Sequence, residues 1–275
     1  MRYLLFIALF LCWFQSFSQY QYKTGKSELV RREGFTKLSG WNLAPGVTWM
    51  GTRWINKADI LFESGDTTYE VTFNPGGRIG LYLEVGRHYI FKYARLFPYL
   101  DFGIAYKGLR GKEKFEGEWR IANIDQTFGA TSGAGKFANH NVLAYVNLNN
   151  IIQLTNKLFI QNSLGLNVDY SFIKRTNKGT YAFQDDVELP RLWAQVHYKF
   201  GLGIKIHDGL FIIPSIETPL LNLSPWTNFR LKVPQYMSWY RPLILSVRFA
   251  FLGQKKTTCN TPNENKGDGT NPGYR

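Results

Sequence analysis

The sequence predicts an all-β chain folded as an eight-stranded, antiparallel, up-and-down transmembrane β-barrel, with a ten-stranded barrel as the alternative. Three observations predict it. Repeated runs alternate large apolar residues with Gly, Ser, Asn and Gln at a period of two. The breaks between those runs are alternately short and long, the pattern of barrels that cross a bilayer. The composition, 16% aromatic and 19% charged with 26 glycines, comes with almost no helical periodicity.

Taken in order, the chain opens with Met1 and Arg2 as a short positive head, an apolar run over 3–14, and the small-x-small site Ser16-Phe17-Ser18. These are the parts of a secretory signal peptide over 1–18, with cleavage before Gln19. The apolar run is too short for a spanning helix of about 20 residues. Cys12 lies inside it and not just after it, which argues against a lipid anchor. Residues 19–39, containing KTGKSELVRREGFTK, read as a basic periplasmic segment.

The barrel is expected over 40–252. Its eight runs are 45–50, 78–88, 97–107, 141–149, 158–172, 192–206, 210–218 and 241–251, most of them at or above the nine to eleven or so residues that a tilted membrane strand needs. Short turns are expected at HYIFKYAR, at Thr155-Asn156-Lys157 and at His207-Asp208-Gly209. Long loops, among them 108–139 and 174–190, fill the other gaps. ILFESGDTTYEVTF, 60–73, has the pattern of an extra hairpin, which is the source of the ten-strand alternative. The tail over 253–275 is too poor in apolar residues to fold alone and reads as a disordered polar periplasmic segment.

The sign of the alternation separates a membrane barrel from a soluble sandwich or lipocalin-like barrel. In LFIQNSLGLNVDYSF, 158–172, one face carries Ile160, Leu164, Leu166, Val168, Tyr170 and Phe172, and the other Gln161, Ser163, Gly165, Asn167 and Asp169. A large apolar face edged by aromatics suits lipid outside and a polar lumen inside. By parity the inward charges include Glu84, Asp101, Asp169, Lys199, Lys205, Glu217 and Arg248, with His88, Lys107 and His197 beside them. Eight strands enclose only enough space for side chains, so these groups are expected to pair in a side-chain-filled lumen. Asp169, Asn167, Gln161 and Gln195 are the expected partners of Lys199, Lys205 and Arg248.

Candidate chemistry is sparse. After the leader Cys259 is the sole cysteine, which excludes an internal disulfide and a cysteine zinc cluster. GATSGAGK, 129–136, lacks the Ser or Thr and the following helix of a phosphate loop, since Phe137 comes next, and reads as an extracellular loop. Ser132 and His140 are the pair that an outer-leaflet lipid hydrolase would use, without a signature around either. No catalytic residue, cofactor or metal is expected. The formal charge of +13 is spread along an exported chain with no recognition helix, which excludes nucleic acid and favours an anionic lipid surface. In KGLRGKEKFEGEWR, 107–120, the candidate lipopolysaccharide contacts are Lys107, Arg110, Lys112, Lys114 and Arg120, with Glu113, Glu116 and Glu118 opposing them. Lys107 thus belongs to two sets, as the last inward position of its strand and the first cation of the extension.

FNPGGRIGLYLEVGR, LFPYLDFGIAYKG, LFIQNSLGLNVDYSF, DGLFIIPSIETPLLNLSP and the closing VRFAFL resemble the successive strands of the small porin-family outer-membrane β-barrel proteins of the Bacteroidota. The resemblance implies a Gram-negative outer-membrane location, assembly by the outer-membrane insertion machinery and no assigned reaction. The expected role is structural or in surface interaction, with an unidentified periplasmic or surface protein as a further partner. A narrow passive channel or transport and secretion accessory is the alternative, and the lipid hydrolase the third reading.

Overall fold

The computed structural model describes residues 39–52, 58–64, 66–91, 97–121, 126–180, 190–207, 209–224 and 233–253. The expected leader, the segment over 19–38, the tail beyond 253 and Cys259 lie outside the described residues, as does most of the gap between 177 and 192. Among the described residues ten strands follow one another: β1 (Ser39–Gly51), β2 (Ala58–Ser64), β3 (Thr67–Ile90), β4 (Tyr99–Ile121), β5 (Gln126–Gln153), β6 (Leu158–Asn177), β7 (Leu192–His207), β8 (Leu210–Ser224), β9 (Val233–Gln235) and β10 (Ser238–Leu252).

All pairings are antiparallel, and β3 to β8 form a meander in which each strand bonds the next. β10 then pairs with β8, and β1 pairs with β10 on one side and β3 on the other, closing a hydrogen-bonded ring of eight. The hairpin expected within 60–73 exists, as β2 folded onto the start of β3. β2 bonds only β3, so it lies beside the ring and adds no member to it. β9 likewise pairs only with β10.

All eight expected runs are strands of the ring, and most are longer than their apolar alternation indicates. The expected loop over 108–139 is a correction: β4 continues to Ile121 and β5 begins at Gln126. GATSGAGK is therefore strand: Thr131 to Lys136 pair with Gly117 to Lys112 of β4, and Gly129 and Ala130 fall at a register shift before the pairing resumes at Phe128 and Trp119. Its small residues make room for neighbouring aromatics, since a Cβ at Gly133 would press on the Phe115 ring and one at Gly135 on Tyr236.

The turns expected to be short gather at one end. There Leu154 and Thr155 N–H both donate to the Leu158 carbonyl, Phe91 N–H donates to Pro98 and Leu252 N–H to Gly209. Within the ring, side chains fill the interior from this end upward. Phe159, Phe211, Ile213 and Ala250 close the turn end, and Tyr82, Ala105, Leu143, Tyr145 and Ile244 form a middle cluster. A third cluster, containing Met50, Leu109, Phe137, Trp193, Tyr236 and Tyr240, fills the opposite end.

The outward face is apolar. Ile79 and Leu81 are 66% and 68% exposed, Leu166 42% and Leu202 42%, while Asn167, Asp169 and Lys199 on the inward face are almost fully buried. Burial here follows the pleat in a sense opposite to that of a soluble barrel: polar groups lie inside and large apolar ones outside.

Candidate functional site

Strand pleat alone places the charged residues at the centre of the ring. Glu84 on β3, Asp101 on β4, Lys199 on β7, Glu217 on β8 and Arg248 on β10 all occupy inward positions, and each is at most 4% exposed. Arg248 reaches across to two carboxylates, with Nη2 2.6 Å from Glu84 Oε1 and Nη1 bonded to Asp101. Lys199 Nζ lies 2.8 Å from Glu84 Oε2 and 3.1 Å from Glu217 Oε2. Glu84 thus binds both cations, and Tyr82 donates its hydroxyl to Glu84 Oε2 at 2.8 Å.

Amides and a histidine complete the shell. Asn167 Nδ2 donates to Glu217 Oε1 at 3.2 Å, and Asn149 Nδ2 donates to Asp101 Oδ1 at 3.2 Å. Asn149 Oδ1 in turn accepts from Gln161 Nε2 at 2.6 Å and from Ser163. His197 Nε2 lies 2.7 Å from Asn147 Oδ1 and 3.9 Å from Glu217. Towards the long-connection end, Lys107 Nζ stands 2.5 Å from Asp169 Oδ1 and 4.7 Å from the centre of the Trp193 ring. This pair is separate from the central cluster.

Glu84, Asp101, Asp169, Lys199, Glu217 and Arg248 of the expected lumen charges therefore join ion pairs inside the ring, although several partners differ from expectation. Asp169 binds Lys107 and not Lys199, Lys205 or Arg248; Gln195 donates to Asn222 at 2.6 Å. Lys205 is half-buried near the turn end, below the central cluster, where its N–H donates to the Lys157 carbonyl. The amides Asn147 and Asn149 and the Tyr82 hydroxyl were not expected in this network. Their inward parity is visible in the sequence, but their partners depend on which strands face each other across the ring.

The expected outer contacts divide. Lys107 is a correction: the strand continues through it, so it points inward and is 1% exposed. Arg110, Lys112 and Lys114 occupy exposed, outward positions of β4. Arg120, near the tip of β4, lies 3.7 Å from Glu70. His140 also faces outward and bonds the Tyr106 hydroxyl through Nδ1, while Ser132 stands eight residues away on the same strand. At about 3.3 Å per residue that separation is roughly 26 Å, so the two do not form a catalytic pair. Among the described residues no group of three His, Cys, Asp and Glu side chains has the arrangement of a metal site.

The arrangement is one of buried charges held by mutual ion pairs and amide hydrogen bonds. Neither the protein-family models nor the curated proteins compared with the chain match it, so its strand order and inward charges are what describe it.

Proposed function

We propose that the chain is an outer-membrane β-barrel with a plugged polar lumen, serving a structural or surface-interaction role without catalysis. The observation that carries the reading is the outward apolar face. Large hydrophobic side chains such as Leu43, Leu83, Ile104, Val146, Leu166, Leu202, Ile216 and Leu245, one on each of the eight members of the ring, are 40% exposed or more. Water would penalise so continuous a surface, whereas a bilayer accepts it, and closure of the ring leaves no free backbone edge along its wall. Aromatic side chains at both ends of the band, among them Trp41 and Tyr89 at the turn end and Tyr170 and Phe172 opposite, suit the two interfaces.

In this reading the short turns face the periplasm and the long β2–β6 wall stands outside the cell, and the order of the strands fits the small porin-family barrels of the Bacteroidota. The filled interior favours the plugged barrel over the narrow channel. The test is insertion: full-length protein refolded into phosphatidylcholine vesicles should give a heat-modifiable band on unboiled gels, protected from added protease apart from its long-connection end. A chain that stays with the aqueous phase, or that is digested throughout, would overturn the membrane assignment.

A further inference from the structure

The outward positions of β3–β6 hold a second charged cluster, which the lumen network does not involve. Arg78 on β3 stands directly opposite Arg110 on β4. Arg110 faces Ala138 on β5, which faces Arg175 on β6. Two residues farther from the short turns, Lys112 stands opposite Lys136, and Lys114 follows on β4. All six cations are exposed. Among the described residues, the outward positions of these four strands carry no Asp or Glu between Tyr106 and Lys114 on β4 or at the positions paired with them.

Like charges directly opposite one another destabilise a sheet, and here two such pairs, Arg78–Arg110 and Lys112–Lys136, are adjacent. The small Ala138 between Arg110 and Arg175 leaves a shallow depression of about 460 Å³, walled by Arg78, Arg110, Lys136 and Arg175. The level of the cluster is the second, independent observation. Immediately towards the turn end lies an aromatic collar, in which Phe172 packs 6.5 Å from Tyr106 and 6.3 Å from His140, ring centre to ring centre. Beyond the collar the exposed apolar band begins, with Ile104 at 62% and Val142 at 45% exposure. A molecule that satisfied both surfaces would carry anionic groups next to apolar chains.

We propose that this face binds the headgroup of a membrane lipid bearing at least two phosphate groups, with its acyl chains lying along the apolar band below; the proposal rests on the membrane reading above. Three strand spacings separate Arg78 from Arg175, roughly 14 Å, and the lysine pair lies about 7 Å farther along the strands. One phosphate cannot reach across that area. Arg110 and Arg175 would supply forked, charge-assisted bonds to phosphate oxygens, and the lysines point charges beside them. The anion also relieves the repulsion within the two opposed pairs.

The experiment is native mass spectrometry of the full-length chain in neutral detergent, titrated with bis-phosphorylated lipid A, its monophosphorylated form and inorganic phosphate. Bis-phosphorylated lipid should bind in a ratio of one, more tightly than the monophosphorylated form, and inorganic phosphate should not displace it at equal concentration. R110A/R175A should weaken binding about thirtyfold, at roughly fivefold for each cation removed near a phosphate surface. R110K/R175K should retain more than the alanine variant, and R87A, which alters the cation over Trp41 near the turn end, should bind as the unmodified chain does. A heat-modifiable band establishes folding of each variant, and R78A/K136A provides an independent pair if the first does not fold. Unchanged binding in a folded alanine variant, an equal loss in R87A, or displacement by inorganic phosphate would overturn the lipid site. Failure of the unmodified chain to enter vesicles would instead overturn the membrane reading, so the two failures are distinguishable.

Discussion

Residue by residue, the inward face is held by pairs whose members cannot be removed singly. Lys107 and Asp169 are both buried and meet at 2.5 Å. Asp169→Ala leaves the Lys107 ammonium without its carboxylate and should cost about 3–5 kcal/mol of stability, whereas replacing both partners with apolar residues of similar volume should restore much of the loss. Urea unfolding in detergent of D169A, K107M and K107M/D169L gives the comparison, and an additive double variant would rule out coupling between the two. Tyr236 is a second such position. Its φ of +54° is unusual for a bulky side chain, and its hydroxyl donates to the Lys136 carbonyl at 2.8 Å and the Asn177 carbonyl at 3.3 Å. Tyr236→Phe removes those bonds while keeping the ring and should lower stability by about 1–3 kcal/mol, read from the same unfolding curves.

At the level of elements, what was legible in the sequence was the alternation itself. In β6 the large apolar residues Leu164, Leu166 and Val168 are exposed and their neighbours Gln161, Asn167 and Asp169 buried, as the period-two pattern of 158–172 implies. The upper halves of β4 and β5 were not legible as strands, because their outward positions are charged, as Arg110, Lys112, Lys114, Glu116 and Lys136 are, or small, as Ala130, Ser132 and Ala134 are, and their inward ones include Gly. What makes them strands is pairing between two segments that look like loops separately, KGLRGKEKFEGEWR against GATSGAGKFANH. The same register hid Arg78, Lys136 and Arg175, since no local pattern announces that they flank Arg110. It also decides Lys107, whose inward direction follows once β4 runs unbroken through it. The β6 parity has a direct consequence in a bilayer. Leu166→Arg should cost about 2–4 kcal/mol near the midplane, while Arg at Asn167 should act through the packing inside. Spin labels along 164–169 should show lipid-soluble quencher accessibility at the even positions and not the odd ones; equal accessibility at both would contradict the assignment.

For the molecule as a whole, the question is whether a closed ring with a polar interior conducts, and three successive obstacles oppose the passage of an ion. At the turn end, Phe159 and Phe211 pack edge to face at 5.8 Å, with Phe159 also lying over Gly203, where a Cβ would collide with its ring. Above them, Arg248 and Lys199 bridge Glu84, Asp101 and Glu217, tying β10 and β7 to β3, β4 and β8 across the interior. At the far end, the turn between β9 and β10 folds across the mouth. Met237 N–H donates to Glu113 Oε1 at 3.3 Å, and Tyr240 donates to the Lys112 carbonyl at 2.9 Å, joining β10 to the opposite wall. An ion crossing this path would have to displace a buried charge pair as well as two hydrophobic layers, and separating such a pair costs several kcal/mol. The unmodified protein in planar bilayers should therefore show no steady nanosiemens-scale current. Removing the mouth closure alone, with Tyr236→Ala and Tyr240→Ala, should leave it silent, because the ion-pair layer and the phenylalanine layer remain. Arg248→Ser combined with Phe159→Ala should be more permissive than either mouth substitution, since it opens both lower obstacles. Steady currents from the unmodified chain would refute the plugged interior and make the narrow channel the better account of the fold.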